Sequence, residues 1–342
     1  MNKHKKIVFI VGNSRSGTTM LASILGKHPD VFAFHELHFL EDIWVPGSLP
    51  EKVDKETAVK MLGILLHRER VGYHSHFDQH KFLDYSCEIV NGLEENDLKP
   101  SQIFLNFLYE EARLHGKTIP CEQTPRNLFY AREIIELYPE AHVINLVRDP
   151  RDVLLSQKNK WKRGLLGNKG IPFWEVIRLK LNYHPYTISR LWKSCVSYAD
   201  KMEGVERFYS VRFEDIVSQP AIEIRKICNF IGISFDEGML DIKHLSSSFK
   251  KSGTGEKGVN KSSLLRWKKG GLTKEERHIC QEINRDALSS HGYEIENYIG
   301  ANKIKILLTY SLFPLKLFLS FLFNFRRYRN VVKSVLRRVK AN

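Results

Sequence analysis

"FIVGNSRSGTT", residues 9–19, decides how this chain reads. Gly12 and Gly17 have the spacing of a nucleotide-binding P-loop, G-x-x-x-x-G-K-[ST], but Thr18 stands where the lysine belongs. The β-branched run "KIVFIV" before it is the kind that forms a strand buried on both faces. "TTMLASILGKH" after it reads as a helix beginning at Gly17 to Thr19. Strand, glycine turn and helix together make an anion cradle, because backbone N–H groups and the helix dipole converge on the turn. Arg15 adds a charge-assisted bidentate contact, and Thr18 and Thr19 add hydroxyls. In NTPases the lysine reaches the β/γ-phosphates and the Ser/Thr holds Mg²⁺. A sulfuryl group in a phosphosulfate carries a single negative charge where a terminal phosphate carries about two. A lysine-free cradle working without metal therefore suits it.

Working outward, "REIIELYP" reads as a helix ended by Pro139, and "HVINLV" as a second buried strand. "DVLLSQKNKW" is the helix after it, "RFYSVRFED" a third strand, and "AIEIRKICNFIGI" a further helix. This alternation predicts an α/β fold: a P-loop-like parallel sheet with helices on both faces, in a single domain with a helical C-terminal tail. Ligands of such sheets sit beyond the carboxyl ends of the strands. A second motif falls there: in "NLVRDPRDVLLSQ", Arg148 leaves a strand end and Ser156 lies eight residues on, in the next helix. A guanidinium and a hydroxyl so placed suit a second phosphate, although Arg148 could instead pair with Asp149 or Asp152.

These two stretches resemble sulfotransferases that use 3′-phosphoadenosine-5′-phosphosulfate (PAPS), nearest to protein-tyrosine sulfotransferases and bacterial carbohydrate sulfotransferases. "RSGTTMLASILGKHPDVFAFHE" is similar to their 5′-phosphosulfate loop and the acidic base that follows, and "LVRDPRDVLLS" to their 3′-phosphate motif. The resemblance implies that Arg15, Ser16, Gly17, Thr18 and Thr19 hold the 5′-phosphosulfate, that Arg148 and Ser156 hold the 3′-phosphate, and that Glu36 is the catalytic base. His35 and His38 flank Glu36 and are rivals for that role. The chain departs from the family at two places. Gln123 in "CEQTPRNL" occupies the position of a lysine, and a neutral amide cannot neutralise developing charge, so Arg126 or Lys257 would have to compensate. Phe213 in "VRFED" replaces a nucleotide-contacting tyrosine. The Ser/Gly/Lys-rich segment 246–271 reads as a long loop closing over the nucleotide, with Lys257, Ser262 and Ser263 as contacts.

The net charge of +14 is unevenly distributed, since residues 301–342 hold ten Lys/Arg and no Asp or Glu. The remaining charge is ordinary, so a nucleic-acid-binding body is not indicated. Five scattered cysteines form no C-x-x-C pair, which fits a reducing compartment and neither a disulfide framework nor a zinc ribbon. The apolar run near the N-terminus is too short for a signal peptide. "YHSHFDQH" places His74, His76, Asp78 and His80 at alternating positions that could ligate zinc on a strand, but a polar loop or groove wall is the preferred reading, and no metal is expected.

Residues 304–325 are strongly apolar and are followed by the basic "RRYRNVVKSVLRRVK". Their length is near that of a membrane span. Pro314 and Lys316 interrupt the run, and the positive-inside rule opposes spanning from a cytoplasmic body. The expectation is therefore a sulfotransferase domain over 1–300 and an apolar, then basic, tail over 301–342. The tail would lie on an anionic membrane surface through residues 304–340, leaving the protein cytoplasmic or peripheral on the inner face. A helix packed on the domain is the other reading. The expected activity is PAPS-dependent sulfuryl transfer to an acceptor hydroxyl, on a glycan, a glycolipid or other lipid-linked group, or another alcohol or phenol, releasing 3′,5′-ADP. A kinase or NTPase with a degenerate P-loop and a non-catalytic nucleotide-binding, membrane-docked protein are the rivals.

Overall fold

The computed structural model describes residues 6–47, 51–73, 77–78, 80–164, 173–242, 258–297 and 299–324. In chain order the principal elements are β1 (Ile7–Gly12), α1 (Thr18–Leu25), β2 (Val31–Ala33), α2 (Lys55–Arg70), α3 (Leu83–Asn91), α4 (Pro100–Leu114) and β3 (Ile119–Glu122). There follow α5 (Ala131–Leu137), β4 (Ala141–Val147), α6 (Pro150–Lys158), α7 (Phe173–Leu181), α8 (Pro185–Asp200), β5 (Phe208–Arg212), α9 (Phe213–Ser218) and α10 (Pro220–Ile231). The last three helices are α11 (Lys274–Ser290), α12 (Lys303–Ser311) and α13 (Phe313–Asn324).

The strands form one five-stranded sheet in the order β2-β3-β1-β4-β5. Every pairing is parallel. β1 is fully buried because the sheet is covered on both faces. Ile7, Phe9 and Val11 enter one apolar layer with Phe104 and Phe129, while Val8 and Ile10 enter the other with Leu21 and Ile24. The chain leaves β1 toward β2 on one side and β4 lies on the other, so the crevice beyond the carboxyl end of β1 is the switch point where such sheets bind ligands.

Two strands were not apparent in the sequence: β2 has only three residues, and β3, "IPCE", contains Pro120. The strand expected over "RFYSVRFED" stops at Arg212, and Phe213 begins α9. The helix expected over "DVLLSQKNKW" ends at Lys158, after which Lys160–Gly164 makes a tighter turn.

Candidate active site

The cradle begins where β1 runs out. Gly12 has φ +143°, and a Cβ there would come 2.5 Å from the Leu146 carbonyl oxygen of β4, so only glycine permits this approach. Ser16 N–H donates to the Asn13 carbonyl at 3.1 Å, closing the turn, and Arg15 holds a positive φ of 77°. Gly17 has φ +103°, and a Cβ there would run into the Phe213 ring. α1 starts at Thr18, so its leading N–H groups have no acceptor within the helix. Ser16 is fully buried, and its hydroxyl has no hydrogen-bond partner.

The two predicted anion loops meet. Arg15 Nε donates to Ser156 Oγ at 2.9 Å, and Arg148 donates to the Arg15 carbonyl at 3.2 Å. Arg148 is 9% exposed, and its guanidinium lies 4.2 Å from the centre of the Phe213 ring. Phe213 thus supports the arginine and closes against Gly17. Arg148 also approaches Asp152 at 3.6 Å, while Asp149 pairs with Arg151, so the salt-bridge reading of this motif holds alongside the anion-site geometry. Arg148 Nε is buried with no hydrogen-bond partner. With Ser16 Oγ it leaves one buried donor without a partner on each loop, a state that buried polar groups seldom keep.

The segment after residue 257 straps across this motif. Arg148 donates to the Ser263 carbonyl at 2.8 Å. Ser263 Oγ turns away to the Asn260 carbonyl at 2.7 Å, and the Ser262 carbonyl accepts from Arg266 at 2.9 Å. The strap therefore meets Arg148 through the Ser263 backbone carbonyl. Trp267 anchors the strap. It is 3% exposed, its backbone N–H donates to Asp152 at 2.9 Å, its Nε1–H donates to Asp149 at 3.2 Å, and its ring centre lies 3.9 Å from the Arg151 guanidinium. The sequence reading missed Trp267; a tryptophan within a Ser/Lys-rich loop is the signal that could have found it. Lys257 lies outside the described residues.

Glu36 follows β2. His38 Nε2 bonds to Glu36 Oε2 at 3.1 Å, whereas His35 pairs with Glu69 at 3.2 Å and is exposed. His38 is buried in the left-handed region, with φ 48° and ψ 38°. Arg68 of α2 clamps its backbone by donating to the carbonyls of Leu37 at 2.5 Å and His38 at 2.8 Å. The His38 ring packs on Tyr73 with centroids 4.2 Å apart. Such strain in a buried, over-determined loop is characteristic of functional positions. Burial pushes the Glu36 carboxyl up, but the His38 hydrogen bond and the charges of His38, Lys160 and Arg126 outweigh it and hold the carboxyl below the usual range. Arg126 pairs with Glu41 at 2.8 Å.

Glu122, at the carboxyl end of β3, also escaped the sequence reading. Its buried carboxylate accepts from the N–H of Leu37 at 3.4 Å, the N–H of Thr124 at 3.1 Å, Asn127 Nδ2 at 2.9 Å and the Thr124 hydroxyl. Thr124 Oγ1 in turn accepts from His38 N–H at 3.1 Å. Burial raises Glu122 to about 7, the Thr124 and Leu37 hydrogen bonds opposing it and the charge of Glu36 adding to the rise. The next residue, Gln123, accepts from the Thr19 hydroxyl at 3.4 Å, which ties the end of β3 to the first turn of α1. Of the alternating histidine stretch, Asp78 accepts from the His80 N–H at 2.9 Å, and His74 and His76 lie outside the described residues. Among the described residues no group of His, Cys, Asp and Glu could hold a metal.

An anion loop and a strand-end arginine with a helix serine thus meet at the switch point of a parallel α/β sheet, with a hydrogen-bonded carboxylate on the loop after β2. Residues 8–237 match the Sulfotransferase family, and the chain belongs to it. Nodulation protein NoeE of Sinorhizobium fredii is 24% identical over 84% of this chain and 66% of its own length. A protein-tyrosine sulfotransferase of Drosophila melanogaster is 24% identical over 70% of this chain and 40% of its own length. The chain thus spans under two thirds of these relatives. The sulfotransferase domain of a Synechococcus olefin synthase has the same fold, with a TM-score of 0.50 and 19% identity over 86% of this chain and 98% of the domain.

Proposed function

We propose that the protein transfers a sulfuryl group from PAPS to an acceptor hydroxyl. The observation that carries this reading is the Arg15–Ser156 bond joined to the Arg148–Arg15 contact, which links residues 15–19 and 148–156 in one part-buried network. Arg15, the hydroxyls of Ser16, Thr18 and Thr19 and the N–H groups heading α1 take the 5′-phosphosulfate. Arg148 and Ser156 take the 3′-phosphate. The S–O bond to the 5′-phosphate breaks, a new S–O bond forms to the acceptor oxygen, and the acceptor proton passes to Glu36. The leaving phosphate departs as 3′,5′-ADP, its charge met by Arg15 and the backbone amides. We assign Lys160, whose charge acts on Glu36, to compensate for the neutral Gln123, because Arg126 pairs with Glu41. The lower charge of a sulfuryl group makes this scheme workable without a metal.

In this reading residues 1–300 form the catalytic unit and 301–342 an attachment, on a cytoplasmic protein whose acceptor is a glycan, lipid-linked or other alcohol. Two measurements test it. Calorimetry should show tight binding of adenosine 3′,5′-bisphosphate and weak binding of Mg·ATP; the reverse would favour a kinase or NTPase. With radiolabelled PAPS and fractionated host extracts, Glu36→Gln should lower label transfer by roughly 10²–10⁴-fold while leaving bisphosphate affinity nearly unchanged. Near-normal transfer by that variant would remove Glu36 from the role of base.

A further inference from the structure

A helix lying on a water-soluble body buries its apolar stripe and shows water its polar one. α12 and α13 do the reverse. Positions 306, 309, 313, 316 and 320 form the stripe that faces the body. The Thr309 carbonyl bonds to His184 Nε2 at 3.2 Å, and Phe313 packs on His184 and Tyr186 with ring centroids 4.9 and 5.2 Å apart. The Lys316 ammonium lies 5.6 Å from the centre of the Tyr183 ring, and Ser320 Oγ donates to Asn182 at 2.6 Å. Half a turn away, positions 304, 307, 311, 315, 318 and 322 form the outward stripe. Ile304, Leu307, Leu315, Phe318 and Leu322 on it are each 52–70% exposed, and the hydroxyl of Ser311 turns back to the Leu307 carbonyl at 2.9 Å. Lys316, the charge in the middle of the apolar run, is thus held against the body, while Lys305 near its start is exposed and the leucines of the outward stripe and Phe318 point away from the body.

An exposed apolar face of this length requires an apolar medium or partner. Charge chooses between them: residues 301–342 carry ten Lys/Arg and no acid, so a second copy would bring like charges together, whereas an anionic lipid surface complements them. The segment Lys303–Phe323 is long and apolar enough to span a bilayer. It is nevertheless fastened along its length, from Thr309 to Ser320, to polar groups of the body, and these would have to enter the hydrocarbon with it. We infer that the outward face of α12 and α13 seats in the headgroup–acyl boundary of an anionic bilayer, with the helix axis in the membrane plane and the positive charge of the sequence 301–342 drawing it to anionic lipid. α13 packs against α7, whose Trp174 is 68% exposed with its ring centre 6.4 Å from that of Phe323, so the face continues onto the body. α7 in turn packs on the turn Lys160–Gly164 that follows the Ser156 helix. The docking does not depend on the sulfuryl-transfer reading.

Sedimentation of the full chain with vesicles tests it. The protein should pellet with phosphatidylcholine vesicles containing phosphatidylglycerol, and its affinity should fall by roughly tenfold or more on pure phosphatidylcholine. The triple variant Leu307→Glu, Leu315→Glu, Phe318→Glu should stay in the supernatant. These side chains are exposed, so its circular dichroism and melting temperature should match the parent. Four results would overturn the inference: a parent chain that ignores anionic vesicles, a triple variant that pellets as well as the parent, a parent that resists alkaline extraction as a spanning helix does, and a dimer that the triple variant abolishes.

Discussion

At the scale of single residues, the imidazole of His38 decides the state of Glu36. Removing its N–H while keeping a ring on Tyr73, as in His38→Phe, takes away the hydrogen bond that holds the carboxyl down. In the proposed mechanism Glu36 must be ionised to take the proton, so activity is expected to fall as pH drops through the Glu36 pKa. The acid limb of kcat should therefore move to higher pH in His38→Phe, and His38→Gln, which restores a donor, should move it part of the way back. An acid limb unchanged in both variants would leave His38 a merely structural residue. Glu122 titrates in the opposite sense. Its folded value of about 7 lies above the ordinary 4.5, so between those values the folded protein keeps a proton that the unfolded chain has released. Stability contributed by this group is present below that window and is lost as pH rises through it. Denaturant melts of the parent should show the decline, and Glu122→Gln should flatten it. Neither residue's role was legible in the sequence, because Glu36 has a histidine on each side and only the left-handed turn at His38, clamped by Arg68 from another helix, selects one.

At the scale of elements, Trp267 is the buried anchor of the strap that follows residue 257. Trp267→Ala removes a buried ring, its hydrogen bond to Asp149 and its contact with Arg151. A loss of about 3–5 kcal/mol is expected. Because the strap touches Arg148 through Ser263, affinity for adenosine 3′,5′-bisphosphate should drop as well, and Trp267→Phe should recover much of the stability but not the Asp149 bond. Calorimetry beside thermal melts separates these effects; undiminished affinity in Trp267→Ala would mean that the strap does not shape the nucleotide site. The sequence marked this segment as a functional loop, and its composition pointed to lysine and serine hydroxyls. The anchoring tryptophan and the backbone contact depend on α6 standing opposite, which no local pattern records. β2 and β3 were hidden for a similar reason: one is too short to show alternation and the other contains a proline, yet β3 pairs with β1, β2 pairs with β3, and α1 packs on both.

For the whole molecule, residues 13–19, 148–156 and 260–267 come from distant parts of the chain and meet at one crevice. A ligand bound there should stabilise all of them together. Saturating adenosine 3′,5′-bisphosphate, at about 100 times its Kd, should add about 2.7 kcal/mol of stability and slow hydrogen exchange in the first and last of these segments at once. Protection confined to residues 13–19 would show that the strap does not share the site. The sequence by itself determined the strand–turn–helix cradle, the strand-end arginine and its serine partner, and the parallel α/β class. Each of these is written in a few adjacent residues, whose periodicity, glycines and charges act over one turn or one strand. Only the tertiary structure decided which histidine serves Glu36, that Glu122 is buried, that Phe213 braces Arg148, and that Lys316 faces inward while leucines face out. Those outcomes depend on what stands across from each residue, and burial, strain and ionisation arise from neighbours far away in the chain.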